Sequence, residues 1–339
     1  MANLAPWPGL LRLTQGRHLT QPVAEPHFLS RDRFCSVART LEILSDAWIF
    51  LVLRESFFGA RRFEQFQNVL QLPRNTLVIR LRKLTELGLM HKVSYSAGTT
   101  RFEYRLTDRG LDLYPTMLAL MKFGDRWLSD ALRPPLQLVH SKCSHACLPL
   151  VVCSSCKEIV DAHAVLYSAG PGAGSEPRAH DRKRSRRTSD PLILERVRPC
   201  SVARTLRIIG DRWSFLLIRE MFFGVRRFDA FEANIGIATN ILTDRLQRLA
   251  GHGIVERRAY QSRPQRFEYR FTPKGRDLYG SLIVMMHWGD QWLSGGRAPL
   301  ILRHHPCQQE FFAQVVCSAC RQTLEPRQTT YQLRYALAS

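Results

Sequence analysis

The strongest chemical signal in the chain lies in two His-x-x-Cys pairs, each followed by a Cys-x-x-Cys pair. His140-Ser141-Lys142-Cys143 precedes Cys153-Ser154-Ser155-Cys156 by nine intervening residues, and His304-His305-Pro306-Cys307 stands at the same distance before Cys317-Ser318-Ala319-Cys320. One imidazole and three thiolates form the donor set that a closed tetrahedral zinc site takes. The spacing therefore predicts a structural zinc in each segment, held by His140, Cys143, Cys153 and Cys156 in the first and by His304, Cys307, Cys317 and Cys320 in the second. Free thiols packed under strands, or a redox dithiol, are the alternatives these residues leave open. His145, Cys147 and His305 lack a counterpart in the other segment and read as bystanders, with Cys147 a stand-in for Cys143. The competing functional class is a zinc- or thiol-dependent enzyme or redox-responsive protein using the CxxC segments. No Glu stands in an HExxH or HxE context, and four protein ligands leave no open position for a substrate, so no residue is assigned a catalytic role.

These segments end two copies of one longer unit. Cys35-Ser36-Val37-Ala38-Arg39-Thr40-Leu41 returns unchanged as Cys200 to Leu206, and the register holds without a gap to Trp127-Leu128-Ser129 and Trp292-Leu293-Ser294. Roughly 45% identity over that span marks a tandem duplication. Within the first copy, Val37, Leu41 and Leu44 predict a helix, and Ser45-Asp46 precede a second, Trp48 to Phe58, that ends at Gly59. Trp48, Leu51 and Phe58 read as core. Phe63 to Leu70 predicts a short helix, broken at Leu72-Pro73-Arg74-Asn75, and Leu77, Leu81 and Leu84 form the buried stripe of the next. Leu89 to Tyr95 and Arg101 to Leu106, around the polar loop Ser96 to Thr100, predict a hairpin. Helix, turn, helix and basic hairpin together predict a winged helix-turn-helix that reads duplex DNA. A long helix over 111–128, repeated at 276–293, carries an apolar stripe wide enough for self-association as well as for packing on its own domain.

The expected architecture is mainly α with small β-hairpins: two winged helix-turn-helix domains, each followed by a small zinc-ribbon-like Cys/His segment. The expected divisions are a disordered segment 1–30, domain 31–130, Cys/His segment 131–166, flexible basic linker 167–191, domain 192–296, Cys/His segment 297–330 and tail 331–339. The linker's Gly-rich start and Arg182-Lys183-Arg184-Ser185-Arg186-Arg187 run hold no periodic structure; about twenty such residues span roughly 25 Å as a coil. Its arginines are solvated charge or extra phosphate contacts.

A net charge of +20 favours a polyanionic partner. No apolar run is long enough to span a bilayer, and the first thirty residues show no charged region followed by an apolar one, so a cytoplasmic, nucleoid-associated protein is expected. Nine cysteines fit metal or thiol chemistry better than a disulfide framework.

A helix that buries Leu77, Leu81 and Leu84 turns Asn75, Ile79 and Arg82 outward, with Thr76 and Lys83 alongside. The second copy offers Asn240, Ile241, Asp244, Gln247 and Arg248, backed by Leu242, Leu246 and Leu249. Asn suits bidentate contact with adenine, and at a first helical turn it also serves as a cap. Ile79 against Asp244 predicts that the two heads read unlike half-sites. Phosphate contacts are expected from Arg61, Arg62, Arg226 and Arg227 and from the wing residues Arg101, Arg263 and Arg266, with Arg257 and Arg258 adding charge. Arg80 and Arg245 lie beside the buried stripe, for phosphate, or for packing or a salt bridge to a residue such as Glu55 or Glu220.

Cys-Ser-Val-Ala-Arg-Thr-Leu, the Trp48 and Trp213 helices, Phe-Phe-Gly followed by Arg-Arg-Phe, and Phe-Glu-Tyr-Arg before a Thr and a Gly resemble the HxlR-type winged helix-turn-helix transcriptional regulators. The resemblance covers about 35 to 130 and 200 to 295. It implies a bacterial DNA-binding regulator, expected to repress, with the reading helix in the major groove and the wing on the minor groove or backbone. Members are usually one-domain homodimers, so two fused domains imply an intrachain pseudo-dimer. Members commonly have Cys-Pro where this chain has Cys35-Ser36 and Cys200-Ser201, and in some a cysteine there senses oxidants or electrophiles. That implication puts Cys35 and Cys200 forward as thiol sensors, against a plain role as small buried residues.

Overall fold

A computed structural model of the chain describes residues 34–94, 102–129, 134–174, 195 and 198–335. The expected disordered segment, most of the linker, Arg101 and the end of the tail lie outside these residues. The first copy runs α1 (Ser36–Leu44), α2 (Ala47–Phe57), α3 (Phe63–Leu70), α4 (Arg74–Glu86), β1 (Met90–Ser94), β2 (Phe102–Leu106), α5 (Asp108–Leu111) and α6 (Tyr114–Trp127). Its Cys/His segment adds β3 (Leu136–His140), β4 (His145–Ala146), β5 (Pro149–Cys153) and β6 (Val165–Ala169). The second copy runs α7 (Ser201–Ile209), α8 (Arg212–Phe222), α9 (Phe228–Ile235), α10 (Thr239–Gly251), β7 (Val255–Ser262), β8 (Gln265–Phe271) and α11 (Pro273–Leu293). Then follow β9 (Leu300–His304), β10 (Gln309–Phe311), β11 (Ala313–Cys317) and β12 (Thr329–Leu333).

Within each copy the predicted stripes form the core: Leu77, Leu81 and Leu84 of α4, and Leu242, Leu246 and Leu249 of α10, are fully or almost fully buried. Asp46 caps α2 by accepting from the Trp48 and Ile49 amides at 3.1 Å, and Asp211 does the same for α8 with Trp213 and Ser214. The turn after α3 needs a left-handed residue. Gln71 adopts it at φ 50°, where the second copy has Gly236 at φ 68°.

The long helix expected over 111–128 is broken. Pro115 stands at the start of α6 and supplies no amide to Leu111, so the first copy splits into α5 and α6. Gly280 occupies the corresponding place, and α11 runs unbroken for 21 residues. The contact foreseen for these helices forms inside the chain, where α6 packs on α11 and Ser281 donates to the Ala119 carbonyl at 3.0 Å.

The first helix of each copy packs on the last helix of the other, α1 on α11 and α7 on α6. This explains the repeated Cys-Ser-Val-Ala-Arg-Thr-Leu motif, because its polar residues all reach across. Ser36 donates to Asp290 and Ser201 to Asp125, both at 2.5 Å. Thr40 donates to the Met285 carbonyl at 3.1 Å and Thr205 to that of Leu120 at 2.8 Å. Arg39 and Arg204 reach the Leu293 and Leu128 carbonyls at 3.3 and 3.4 Å. The helices cross so closely that a Cβ on Gly124 would lie 2.2 Å from the Ser201 carbonyl oxygen, and one on Gly289 2.5 Å from that of Ser36.

The C-terminal strands exchange as well. β12 of the second copy adds to the β3–β4 hairpin of the first, β6 of the first adds to β9–β10 of the second, and β5 pairs with β11. Tyr167 to Ala169, expected to open the linker, are strand residues opposite Leu302 to Leu300. Tyr331 to Leu333, expected as tail, pair with Leu138 to Leu136. Both corrections have one cause: the partner strand belongs to the other copy, so local sequence does not announce it.

Burial at this interface pushes Asp125 and Asp290 up to about 6, against the pull of their serine partners. A carboxyl raised on folding binds its proton more tightly in the native state, so it favours folding at pH below the raised value and penalises it above. Stability should therefore rise by roughly 1–2 kcal/mol for the pair between pH 7.5 and 5.5. The double variant Asp125→Asn/Asp290→Asn should lose that increment, which urea unfolding across the range would read directly.

Candidate nucleic-acid interface and crossed Cys/His clusters

On α4, Asn75, Ile79, Arg82 and Lys83 are exposed and Thr76 is half-buried; on α10, Asn240, Asp244, Gln247 and Arg248 are exposed and Ile241 is half-buried. Neither Asn is a cap, since Pro73 and Ala238 occupy the cap positions of α4 and α10. Arg82 lies along its own helix, bonded to Glu86 at 2.9 Å, an exposed pair worth little and easily exchanged. Val78 is 47% exposed beside Ile79 at 58%, two large apolar side chains facing solvent on one helix. Val78 escaped the sequence reading because it directly follows the buried Leu77; Thr243 takes its place in α10.

Arg80 and Arg245 turn inward. Arg80 pairs with Asp46 at 3.3 Å and Arg245 with Asp211 at 2.9 Å, and Arg245 also contacts Asp244. Their partners are the capping aspartates of α2 and α8, not Glu55 or Glu220, and these bonds tie each reading helix to the helix behind it. The Arg-Arg-Phe segments pair with the wings: Tyr104 N–H donates to the Arg61 carbonyl at 2.7 Å and Tyr269 N–H to that of Arg226 at 2.8 Å. Arg61, Arg62 and Arg227 are exposed and Arg226 is half-buried. Arg62 lies 3.5 Å from Glu103, whose carboxyl Arg105 and then Arg62 hold below the usual range. Arg263 and Arg266 are exposed at the tip of the longer second wing. Exposed Tyr260 lies 5.0 Å from the Arg227 guanidinium, and exposed Phe102 lies 5.8 Å from Lys92 in the first wing. Neither aromatic has a periodic pattern that would have marked it.

The Cys/His residues converge on two clusters, but across the copies. His140 and Cys143 join Cys317 and Cys320; His304 and Cys307 join Cys153 and Cys156. The expectation of one set within each copy is thus corrected: strand exchange sets each HxxC hairpin over the other copy's CxxC turn. In the first cluster His140 Nδ1 lies 3.2 Å from Cys320 Sγ and 3.5 Å from Cys143 Sγ, which lies 3.8 Å from Cys317 Sγ. In the second, His304 Nδ1 lies 3.2 Å from Cys156 Sγ and 3.6 Å from Cys307 Sγ, which lies 4.0 Å from Cys153 Sγ. Every ligand pair is followed by a residue in the left-handed region, Ser144, Lys157, Gln308 and Arg321. That conformation strains a residue with a side chain and curls the backbone around the thiols. The Ser155 and Ala319 amides donate to Cys153 and Cys317 Sγ at 3.4 Å. Burial alone would raise Cys317, but the Cys320 and Ala319 amides bring it below the ordinary thiol value. Each cluster can hold a metal ion. Cys143, not Cys147, completes the first; Cys147 is buried behind Cys317, and burial followed by that neighbour pushes its thiol up to about 12. Phe311 fills the corresponding place and tilts against the His304 ring.

Cys35 is half-buried and faces the Arg219 guanidinium of the other copy, while Cys200 is buried with its amide on Glu195. No helix among the described residues is long and apolar enough to cross a membrane.

If Arg80 and Arg245 support the reading helices, Arg80→Ala and Arg245→Ala should each cost about 0.5–1 kcal/mol in denaturant unfolding, whereas Arg82→Ala should stay within about 0.5 kcal/mol of the unaltered chain.

The profile of the HxlR-like helix-turn-helix family matches residues 43–131 and 208–296. Over 137 residues the chain is 44% identical to the uncharacterized HTH-type transcriptional regulator MT3179 of Mycobacterium tuberculosis (strain CDC 1551 / Oshkosh), covering 40% of this chain and 87% of that protein. Over 95 residues it is 38% identical to the uncharacterized HTH-type transcriptional regulator sll1512 of Synechocystis sp. (strain ATCC 27184 / PCC 6803 / Kazusa), covering 28% of this chain and 70% of that one. Among solved structures, the redox regulator HypR in its reduced form is 35% identical, covering 26% of this chain and 90% of that one at a TM-score of 0.26. Two family matches in one chain, each on a helix-turn-helix with its wing, make this a tandem member of the HxlR-like helix-turn-helix family of DNA-binding transcriptional regulators rather than an enzyme.

Proposed function

We propose that the chain works as a pseudo-dimer whose two reading helices recognise unlike half-sites about one helical turn apart. The observation that carries this reading is the chemistry of the two exposed faces. α4 offers Asn75, Val78, Ile79, Arg82 and Lys83, while α10 offers Asn240, Thr243, Asp244, Gln247 and Arg248 at the same positions. Val78 and Ile79 suit thymine methyl groups, and Asp244 suits the amino group of cytosine. The shared Asn75 and Asn240 suit adenine in both halves. Arg61, Arg62, Arg226, Arg227, Arg263 and Arg266 supply phosphate contacts around this core.

We further propose that the crossed clusters hold structural zinc. Zinc bonds of about 2.3 Å to sulfur and 2.0–2.1 Å to nitrogen set tetrahedral edges near 3.8 Å between sulfurs and 3.6 Å between nitrogen and sulfur. The clusters' sulfur–sulfur separations of 3.8 and 4.0 Å and their nitrogen–sulfur separations of 3.2–3.6 Å fit those edges. Four protein donors leave no position for a substrate, so the metal's contribution is to link the copies.

Duplexes selected from a random pool should contain two non-palindromic half-sites. Asn75→Ala should relax preference in one half and Asn240→Ala in the other, each at a cost of roughly 10–100-fold in affinity. Affinity should fall by about 1,000-fold or more between 50 and 200 mM salt. A salt-independent affinity, or selected sites that are perfect palindromes, would count against the reading.

A further inference from the structure

From a buried donor beside an apolar cavity, we infer that the junction of the two copies is a binding site for a neutral aromatic compound of one ring that carries a carbonyl oxygen. The cavity, about 130 Å³, is walled by Phe50, Phe57, Leu118 and Met121 of the first copy and closed by Arg198 and Val202 of the second. Apolar volume of this size accepts one ring, since an engineered apolar cavity of about 150 Å³ takes up benzene. Phe50 and Phe57 stand on α2, Leu118 and Met121 on α6 and Val202 on α7, so an occupant touches both copies where they cross.

Arg198 gives the site its polar end. It is only 8% exposed, its Nη2 bonds Glu55 Oε2 at 2.8 Å, and its guanidinium lies 4.5 Å from the Phe58 ring, so the side chain is held from two sides. Its Nε is buried and has no hydrogen-bond partner among the described residues. Leaving an N–H of a charged group unmet in the interior is costly. Hydroxyls on the same wall are already engaged, that of Tyr114 with Thr329 at 2.5 Å and that of Ser201 with Asp125.

The chemistry of the acceptor follows from these neighbours. A water molecule would meet the Arg198 N–H but find few further partners on apolar walls, and a buried water needs two or more. A carboxylate would bring a second negative charge beside that of Glu55 into a site poor in water. A carbonyl oxygen accepts from Nε without adding charge, and the ring attached to it covers the aromatic and aliphatic walls.

Calorimetry on the full chain with acetophenone as the probe tests the assignment, with ethylbenzene as the same shape without an acceptor and benzoate as the charged counterpart. Acetophenone should bind saturably and at least ~10-fold tighter than benzoate. Arg198→Met should weaken acetophenone by at least ~10-fold and change ethylbenzene by less than ~3-fold. Leu118→Phe, which fills the cavity, should abolish binding of both. Because Arg198 also bonds Glu55, folding of the variants is checked by circular dichroism. If Arg198→Met fails to fold, the carbonyl-carbon NMR resonance of acetophenone bound to the unaltered chain decides: it should lie downfield of its position in an alkane solvent, as a hydrogen-bonded carbonyl does. No saturable acetophenone binding, benzoate bound as tightly, a folded Arg198→Met protein with unchanged acetophenone affinity, a folded Leu118→Phe protein that still binds, or a bound carbonyl resonance at its alkane position would each overturn the proposal.

Discussion

Each HxxC hairpin closes over the other copy's CxxC turn, and the rest of the molecule is arranged around that reciprocal crossing. Six cysteines and two buried histidines are brought together only if β12 lies on β3, β6 on β9 and β5 on β11. Those pairings set α6 and α11 side by side, and α1 and α7 then cover the flanks that remain. A unit excised before its partner would leave half of each cluster and one face of its longest helix without contacts. The copies are therefore domains by ancestry but share a single interlocked core.

Fusion also changes what divergence can do. In a homodimer one substitution alters both halves; in this chain each half has moved separately within a shared frame. The helix-crossing residues of the repeated motif and the glycines they meet are the same on both sides: Ser36 and Ser201, Thr40 and Thr205, Gly124 and Gly289. Outward residues have parted, Ile79 from Asp244 and Arg82 from Gln247. A frame bound by mutual contacts with freely varying faces is what reading an asymmetric site requires.

Much of this was legible in the residues. The leucine stripes of α4 and α10 and the Asp46 cap follow from local periodicity and turn chemistry, which act over a few residues. The break at Pro115 was legible too, since a proline inside a helical pattern removes an amide, but the apolar stripe outweighed it. The pairing of ligands was not legible. Both copies keep the same nine-residue interval, so spacing alone cannot distinguish a cluster within a copy from one between copies. The strands at 167–169 and 331–333, the inward turn of Arg80 and the Cys35–Arg219 contact share that origin, because their partners lie far away in sequence.

Zinc content of two paired cysteine variants tests the crossing most directly. Cys143→Ser/Cys317→Ser removes two ligands from one crossed cluster and leaves the other whole, so that protein should retain about one tightly held zinc per chain. Cys143→Ser/Cys153→Ser removes one ligand from each crossed cluster and should retain none tightly. The reverse pattern would place each metal within a single copy and contradict the account.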